Sequence, residues 1–172
     1  ATLQEEVFKI SGQKNLNLSQ QQFAAMMDSL LFLLSDNNSN VDQLGYAAVL
    51  SGVLGSGKST LVGLLTNIHA KLTGKDSVKH VLGTAHVDVA SENINKHIDS
   101  TSTQNKTVGQ LTSDDLKDTE ILVVDEAFAM SNDQIDSLHL LIKEINALRT
   151  SNKIKVLFVG DMSQNRLDQD HI

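Results

Sequence analysis

Eight residues, Gly52-Val53-Leu54-Gly55-Ser56-Gly57-Lys58-Ser59, constrain this chain more than any others. They match the pattern G-x-x-x-x-G-K-[ST]. Before them, Tyr46 to Ser51 reads as a buried strand; from Lys58 onward, Leu61, Leu64, Leu65, Ile68 and Leu72 recur on one face of a helix. Strand, glycine turn and helix in that order hold a phosphate chain, because glycines let successive backbone N–H groups face the anion and the helix N-terminus adds partial positive charge. In that setting Lys58 reaches the β- and γ-phosphates and the Ser59 hydroxyl takes the accompanying Mg²⁺. ATP with Mg²⁺ is the expected ligand, with Gly52, Gly55, Ser56, Gly57, Lys58, Ser59 and Thr60 as candidate binding residues. The bland alternative, a glycine turn with a chance lysine, does not account for the flanks.

The rest of the chain repeats the alternation. Phe23, Met26, Met27, Leu30, Leu31 and Leu34 predict an amphipathic helix over 18–34, and the polar stretch 35–40 a loop. A strand is expected at 78–84, a helix near 88–98 and a polar segment at 100–106. Two further apolar runs, 121–125 and 155–161, each close on an aspartate. Between them Ser131 and Gln134 form a capping-box pattern, followed by Ile135, Leu138, Leu141, Ile142, Ile145 and Leu148 on one helix face. The reading is α/β: a parallel sheet flanked by helices, with ligands at the carboxyl ends of the strands. A chain of 172 residues fits one domain, 1–45 as an N-terminal helical segment and 46–172 as the core.

Composition excludes other chemistry. With no cysteine there are no disulfides or thiolate nucleophiles, and the six histidines lack paired metal-ligand spacing, so the only metal expected is the one a nucleotide brings. His80 and His86, evenly spaced, would share a strand face as a metal pair, but a core or surface role is the expectation for both, as for His69, His97 and His139. No apolar run approaches the roughly 18 residues of a membrane span, and the start, ATLQEEVFKI, lacks the apolar core of a signal peptide. An intracellular, soluble protein is expected, cytoplasmic or nucleoid/nuclear, with no membrane partner. A net charge of −7 means that any nucleic-acid site is local. The missing initiator methionine and the end at Ile172 are read as a processed chain, a designed one or a fragment.

Two more motifs complete the site. Ile121 to Ala127 (ILVVDEA) ends an apolar run on adjacent carboxylates: Asp125 is the candidate Mg²⁺ anchor, with Ser59, and Glu126 the candidate for polarising the attacking water. Gly160-Asp161-Met162-Ser163-Gln164 closes the next strand, and Gln164 is a candidate contact to the γ-phosphate or that water.

The glycine loop, then DEA about 66 residues later, then VGDxxQ about 35 residues further on, resembles motifs I, II and III of superfamily 1 helicases, particularly the RecD-like and Dda-like branch. That resemblance implies the first, N-terminal RecA-like motor domain, ATP hydrolysis with Lys58, Glu126 and Gln164 as catalytic residues, and single-stranded nucleic acid as partner, DNA in preference to RNA. It also implies a second motor domain, which the 172 residues do not include. Leu18 to Ala25 (LSQQQFAA) resembles the family's adenine-reading pattern and makes Gln22 the adenine candidate, although Ser19 and Gln22 also form a capping box. The segments that touch single strands in the family correspond to Thr84-Ala85-His86-Val87 and Thr107-Val108-Gly109, where the family's proline, threonine and histidine are replaced. Arg149 is read as surface solvation and Arg166 as a candidate for a local contact. The chain alone is expected to bind nucleotide, hydrolyse it slowly and not unwind a duplex. Two other readings stay open: a nucleotide switch or phosphotransferase, and a folded relic or designed scaffold without turnover.

Overall fold

A computed structural model of the chain describes residues 2–13, 19–35, 47–50, 58–75, 80–98 and 105–160. Its strands β1 (Ala47–Leu50), β2 (Val81–Thr84), β3 (Ile121–Val124) and β4 (Lys155–Val159) form one parallel sheet in the order β1-β4-β3-β2. The strand last in sequence is therefore inside the sheet: β4 pairs with β1 from Ala47 opposite Val156 onward, and with β3 from Ile121 opposite Lys155.

Side chains alternate across this sheet, as the two-residue period of a strand requires. Val81, Ile121, Val123, Leu157 and Val159 face one core with helices α1 (Leu3–Gln13), α2 (Gln20–Leu34), α3 (Lys58–Thr73) and α4 (Asp88–His97). Leu82, Leu122, Val124 and Val156 face the other, built on α5 (Asn132–Leu148) and the one-turn helix Val108–Gln110. Both faces are covered, which is why the strands read as continuous apolar runs. The expected α/β parallel sheet flanked by helices is the observed fold.

Local signals explain the helix ends. Ser19 caps α2 and Ser131 caps α5, each with a reciprocal bond from the glutamine three residues on. At the far end of α2, Lys155 Nζ donates to the carbonyls of Phe32, Leu33 and Ser35, placing a cation at the negative end of the helix. Lys155 is the first residue of β4, so this end of α2 lies at the amino-terminal edge of the sheet.

Several expectations need correction. The buried side of α2 is Met26, Ser29, Leu30 and Leu33, while Leu31 and Leu34 are exposed, because α2 packs against α3 on a stripe turned one residue from the expected one. Leu148 is 88% exposed although it was expected on the core face of α5. The buried stripe runs Leu138, Ile142, Ile145 and Asn146, and a step of three residues from Ile145 carries Leu148 to its border at the last residue of the helix. Leu72, in the last turn of α3, is likewise on the exposed side, and β2 begins at Val81 rather than 78.

Arg149 is not a solvated surface residue. Its guanidinium donates to the carbonyls of Leu116 (2.7 Å), Thr119 (2.6 Å), Lys117 (3.0 Å) and Asn152 (3.0 Å), binding the turn before β3 to the turn before β4. Burial lowers its pKa from the ordinary arginine value, a shift a guanidinium tolerates without losing its charge. Arg149→Ala strands four carbonyls and is expected to cost about 2 kcal/mol in urea unfolding. Arg149→Lys should recover only part of it, because an ammonium lacks the planar fork.

Among the described residues no helix is long and apolar enough to cross a membrane.

Candidate nucleotide site

Of the candidate residues, Asp125 and Glu126 follow the carboxyl end of β3. α3 opens at Lys58 after β1, so the backbone of Lys58, Ser59 and Thr60 forms its first turn. The side chains of Lys58 and Ser59, the loop residues Gly52, Gly55, Ser56 and Gly57, and Asp161, Gln164 and Arg166 beyond β4 lie outside the described residues.

At the end of β3 the chain turns sharply. Asp125 N–H donates to the Thr84 carbonyl (2.9 Å), extending the ladder to β2 by one bond. Glu126 then adopts φ 51° and ψ 42°, the left-handed region that costs a non-glycine residue about 1 kcal/mol. Its N–H donates to Asp125 Oδ1 at 2.9 Å, and its carbonyl accepts from Ala129 N–H at 3.0 Å. The turn thus presents two carboxylates at the sheet edge, Asp125 half-buried and the Glu126 side chain 47% exposed.

The turn also meets the end of β4. A Cβ on Gly160 would stand 3.0 Å from Phe128 Cδ1 and 3.6 Å from Ala127 N. Glycine at this position lets the end of β4 lie against the Phe128 ring and the backbone of Ala127 and Phe128. Because β4 lies between β1 and β3, its carboxyl end at Gly160 stands between the ends of those two strands.

The residues present fit a nucleotide with Mg²⁺. Asp125 offers the hard carboxylate oxygen that Mg²⁺ takes, and the first turn of α3 offers backbone N–H groups to an anion. Gln22 is half-buried in α2, and its Oε1 accepts from Ser19 N–H (2.9 Å), so the capping role is formed. Since the C-terminus of α2 sits at the amino-terminal edge of the sheet, Gln22 lies toward the opposite edge, where α3 begins.

Thr84-Ala85-His86-Val87 and Thr107-Val108-Gly109 come together over the end of β2. Thr84 Oγ1 donates to the Lys106 carbonyl and Val108 N–H to the Ala85 carbonyl, each at 2.8 Å. Lys106 pairs with Asp115 at 2.8 Å. Burial alone would raise the Asp115 carboxyl; bonds from Lys106 and Thr112 outweigh it and hold the pKa below the ordinary aspartate value.

His80 and His86 form no pair, since they flank β2 at opposite ends, His80 with Glu120 (2.8 Å) and His86 with Glu126 (3.9 Å). Burial and the charges of Lys155 and Lys75 push the His69 imidazole below its ordinary pKa.

Sequence reasoning missed the contact of His86 with Glu126 and the buried amides Asn95 and Asn146. For Asn146 a signal existed: it falls four residues after Ile142, on the buried stripe of α5.

A glycine loop opening a helix, set against a strand that ends in paired carboxylates within a parallel sheet, defines the P-loop nucleoside triphosphatases. Residues 41–167 match the family model described as an AAA domain, and the chain belongs to that family. No curated protein matches the chain.

Proposed function

We propose that this chain is the first, N-terminal RecA-like motor domain of a superfamily 1 helicase of the RecD-like and Dda-like branch, hydrolysing ATP to drive movement on single-stranded nucleic acid, DNA rather than RNA. The observation that carries the reading is the strand order. With β4 between β1 and β3, the motifs Gly52–Ser59, Asp125-Glu126 and Asp161–Gln164 come next in sequence after three neighbouring parallel strands.

In this reading Gly52, Gly55, Ser56, Gly57 and Thr60 wrap the phosphates, and Lys58 pairs with the β- and γ-phosphate oxygens. Ser59 and Asp125 hold Mg²⁺, which neutralises phosphate charge when bound. Glu126 takes a proton from the water that attacks the γ-phosphorus, releasing ADP and phosphate, and Gln164 orients that water. Gln22 reads adenine through its amide NH₂ while Oε1 stays in the capping box. In this reading a single strand crosses the end of β2 over Thr84–Val87 and Thr107–Gly109, which adjoin one another, and a second motor domain closes over the same edge.

The test is Mg-ATP binding and steady-state hydrolysis by this chain and by Lys58→Ala, with and without single-stranded DNA. Lys58→Ala is expected to weaken binding at least about tenfold, the equivalent of about 1.4 kcal/mol for a lost charge-assisted contact. DNA is expected to raise turnover. Binding without a response to DNA would favour a nucleotide switch or phosphotransferase; no binding would overturn the reading.

A further inference from the structure

We propose that a cavity at the amino-terminal edge of the sheet binds a small polyanion, a molecule carrying two or three carboxylate or phosphate charges. The cavity lies at the far end of α3 from Lys58, and the inference does not depend on the hydrolase reading.

Its volume is about 320 Å³, at the lower end of the roughly 300–1,000 Å³ of small-molecule sites. The walls come from the ends of α2 and α3, the residues leading into β3, and the turn before β4. Among its described lining residues, the ammonium groups of Lys75, Lys153 and Lys155 stand against the single carboxylate of Glu120. A second cavity shares Glu120, Ser151 and Asn152 with the first and adds Lys117 and Arg149 against Asp118. In a chain of net charge −7, the described residues of this edge carry the opposite sign. Positive charge gathered in a concave surface focuses a field that draws anions.

The cations are placed before a ligand arrives. Lys155 Nζ is committed to the carbonyls of Phe32, Leu33 and Ser35 and acts as a fixed charge. Lys75 Nζ donates to Glu120 and to Asn152 Oδ1 (3.1 Å), which engages two of its three N–H groups among the described residues and leaves the third for a ligand. Asn152 is fixed in turn by the bond from Arg149 to its carbonyl. Leu33, Leu34 and Ile121 supply an apolar wall that keeps water from one side of these charges and strengthens them.

His69 lines the same cavity and reports on its field. Burial and the charges of Lys155 and Lys75 lower its pKa, while the Leu33 carbonyl and Glu120 act the other way. A potential that disfavours an imidazolium favours an anion. An anion seated beside Lys75 holds the proton on His69, so the His69 pKa rises on binding and affinity grows as pH falls.

The ring resonances of His69, assigned with H69Q, would be followed by NMR in the whole chain against pyrophosphate, citrate and sulfate, with chloride at matched ionic strength as reference. Saturable shifts with pyrophosphate and citrate are expected, and a higher His69 pKa in sulfate, whose charge is constant where an imidazole titrates. A response to pyrophosphate alone would assign a phosphate ester and one to citrate alone a polycarboxylate; either upholds the site. K153Q and K75Q should each weaken binding about tenfold, the equivalent of about 1.4 kcal/mol for one charge-assisted contact. If K75Q, which also breaks the pair with Glu120, does not fold, K153Q decides. The glycine loop is expected to take the same anions, but Lys58 lies about 16 Å from His69 along α3, so K58A should leave the His69 response intact. No shift beyond that in chloride, a shift that K153Q does not weaken, or one that K58A abolishes overturns the proposal.

Discussion

Glu126→Gln is expected to lower the rate of ATP hydrolysis at least about a hundredfold while leaving the Kd for Mg-ATP within about twofold. Glutamine keeps the volume of the side chain and its bond-forming oxygen, so the left-handed turn after β3 and the bond from Glu126 N–H to Asp125 Oδ1 survive. What disappears is the capacity to take a proton from water. Glu126→Gly makes the complementary point: it should lose activity as fully, yet gain about 1 kcal/mol of stability, because glycine occupies φ 51° without the clash a Cβ brings. A glutamine variant that turns over at the wild-type rate would move water activation to another group.

Asn95→Leu is expected to destabilise the fold by about 3–5 kcal/mol, read as a lower urea midpoint at unchanged slope. Asn95 is 3% exposed. Its amide works as a substitute strand: Oδ1 accepts from Gly83 N–H (2.9 Å), and Nδ2 donates to the carbonyls of Gly83 and Ser91 (3.0 Å each) and to Asn105 Oδ1 (3.3 Å). Gly83 lies on the outer edge of β2, where no other strand among the described residues supplies these bonds. Leucine would leave both of its backbone groups buried and unpaired. The approach is close enough that a Cβ on Gly83 would stand 2.6 Å from Ile94 Cγ2 and 2.9 Å from Asn95 Oδ1. An effect below about 1 kcal/mol would mean that water replaces the amide along this edge.

The sheet was readable because β2, β3 and β4 are largely buried and read as short apolar runs. The run 121–124 followed by Asp125 and Glu126, and Ser131 with Gln134, are local patterns whose physics is complete within a few residues. The exposed face of a helix was less readable. Whether Leu33 or Leu34 turns inward depends on the angle at which α2 meets α3, and both choices satisfy the same period. Arg149 was misread for a similar reason: nothing near it in sequence indicates that the carbonyls of 116, 117 and 119 will converge on it. For the site, the paired carboxylates after β3 were legible as an apolar run closed by Asp125 and Glu126. The approach of His86 to Glu126 was not, since it arises from β2 and β3 being neighbours, and strand order is not encoded in either segment.

The interior position of β4 also bears on how the protein is made. During synthesis β1, β2 and β3 leave the ribosome before residue 155, yet β1 has no partner among them, and β3 can pair only on its β2 side. Until β4 arrives, two bare edges face one another across a gap one strand wide, a condition that invites pairing with other chains. When Lys155–Val159 enters, it joins both edges at once, so closure of the sheet is a late and cooperative event of high contact order. A nascent chain would acquire nucleotide affinity late, because β4 is the strand that joins β1 to β3 in the sheet.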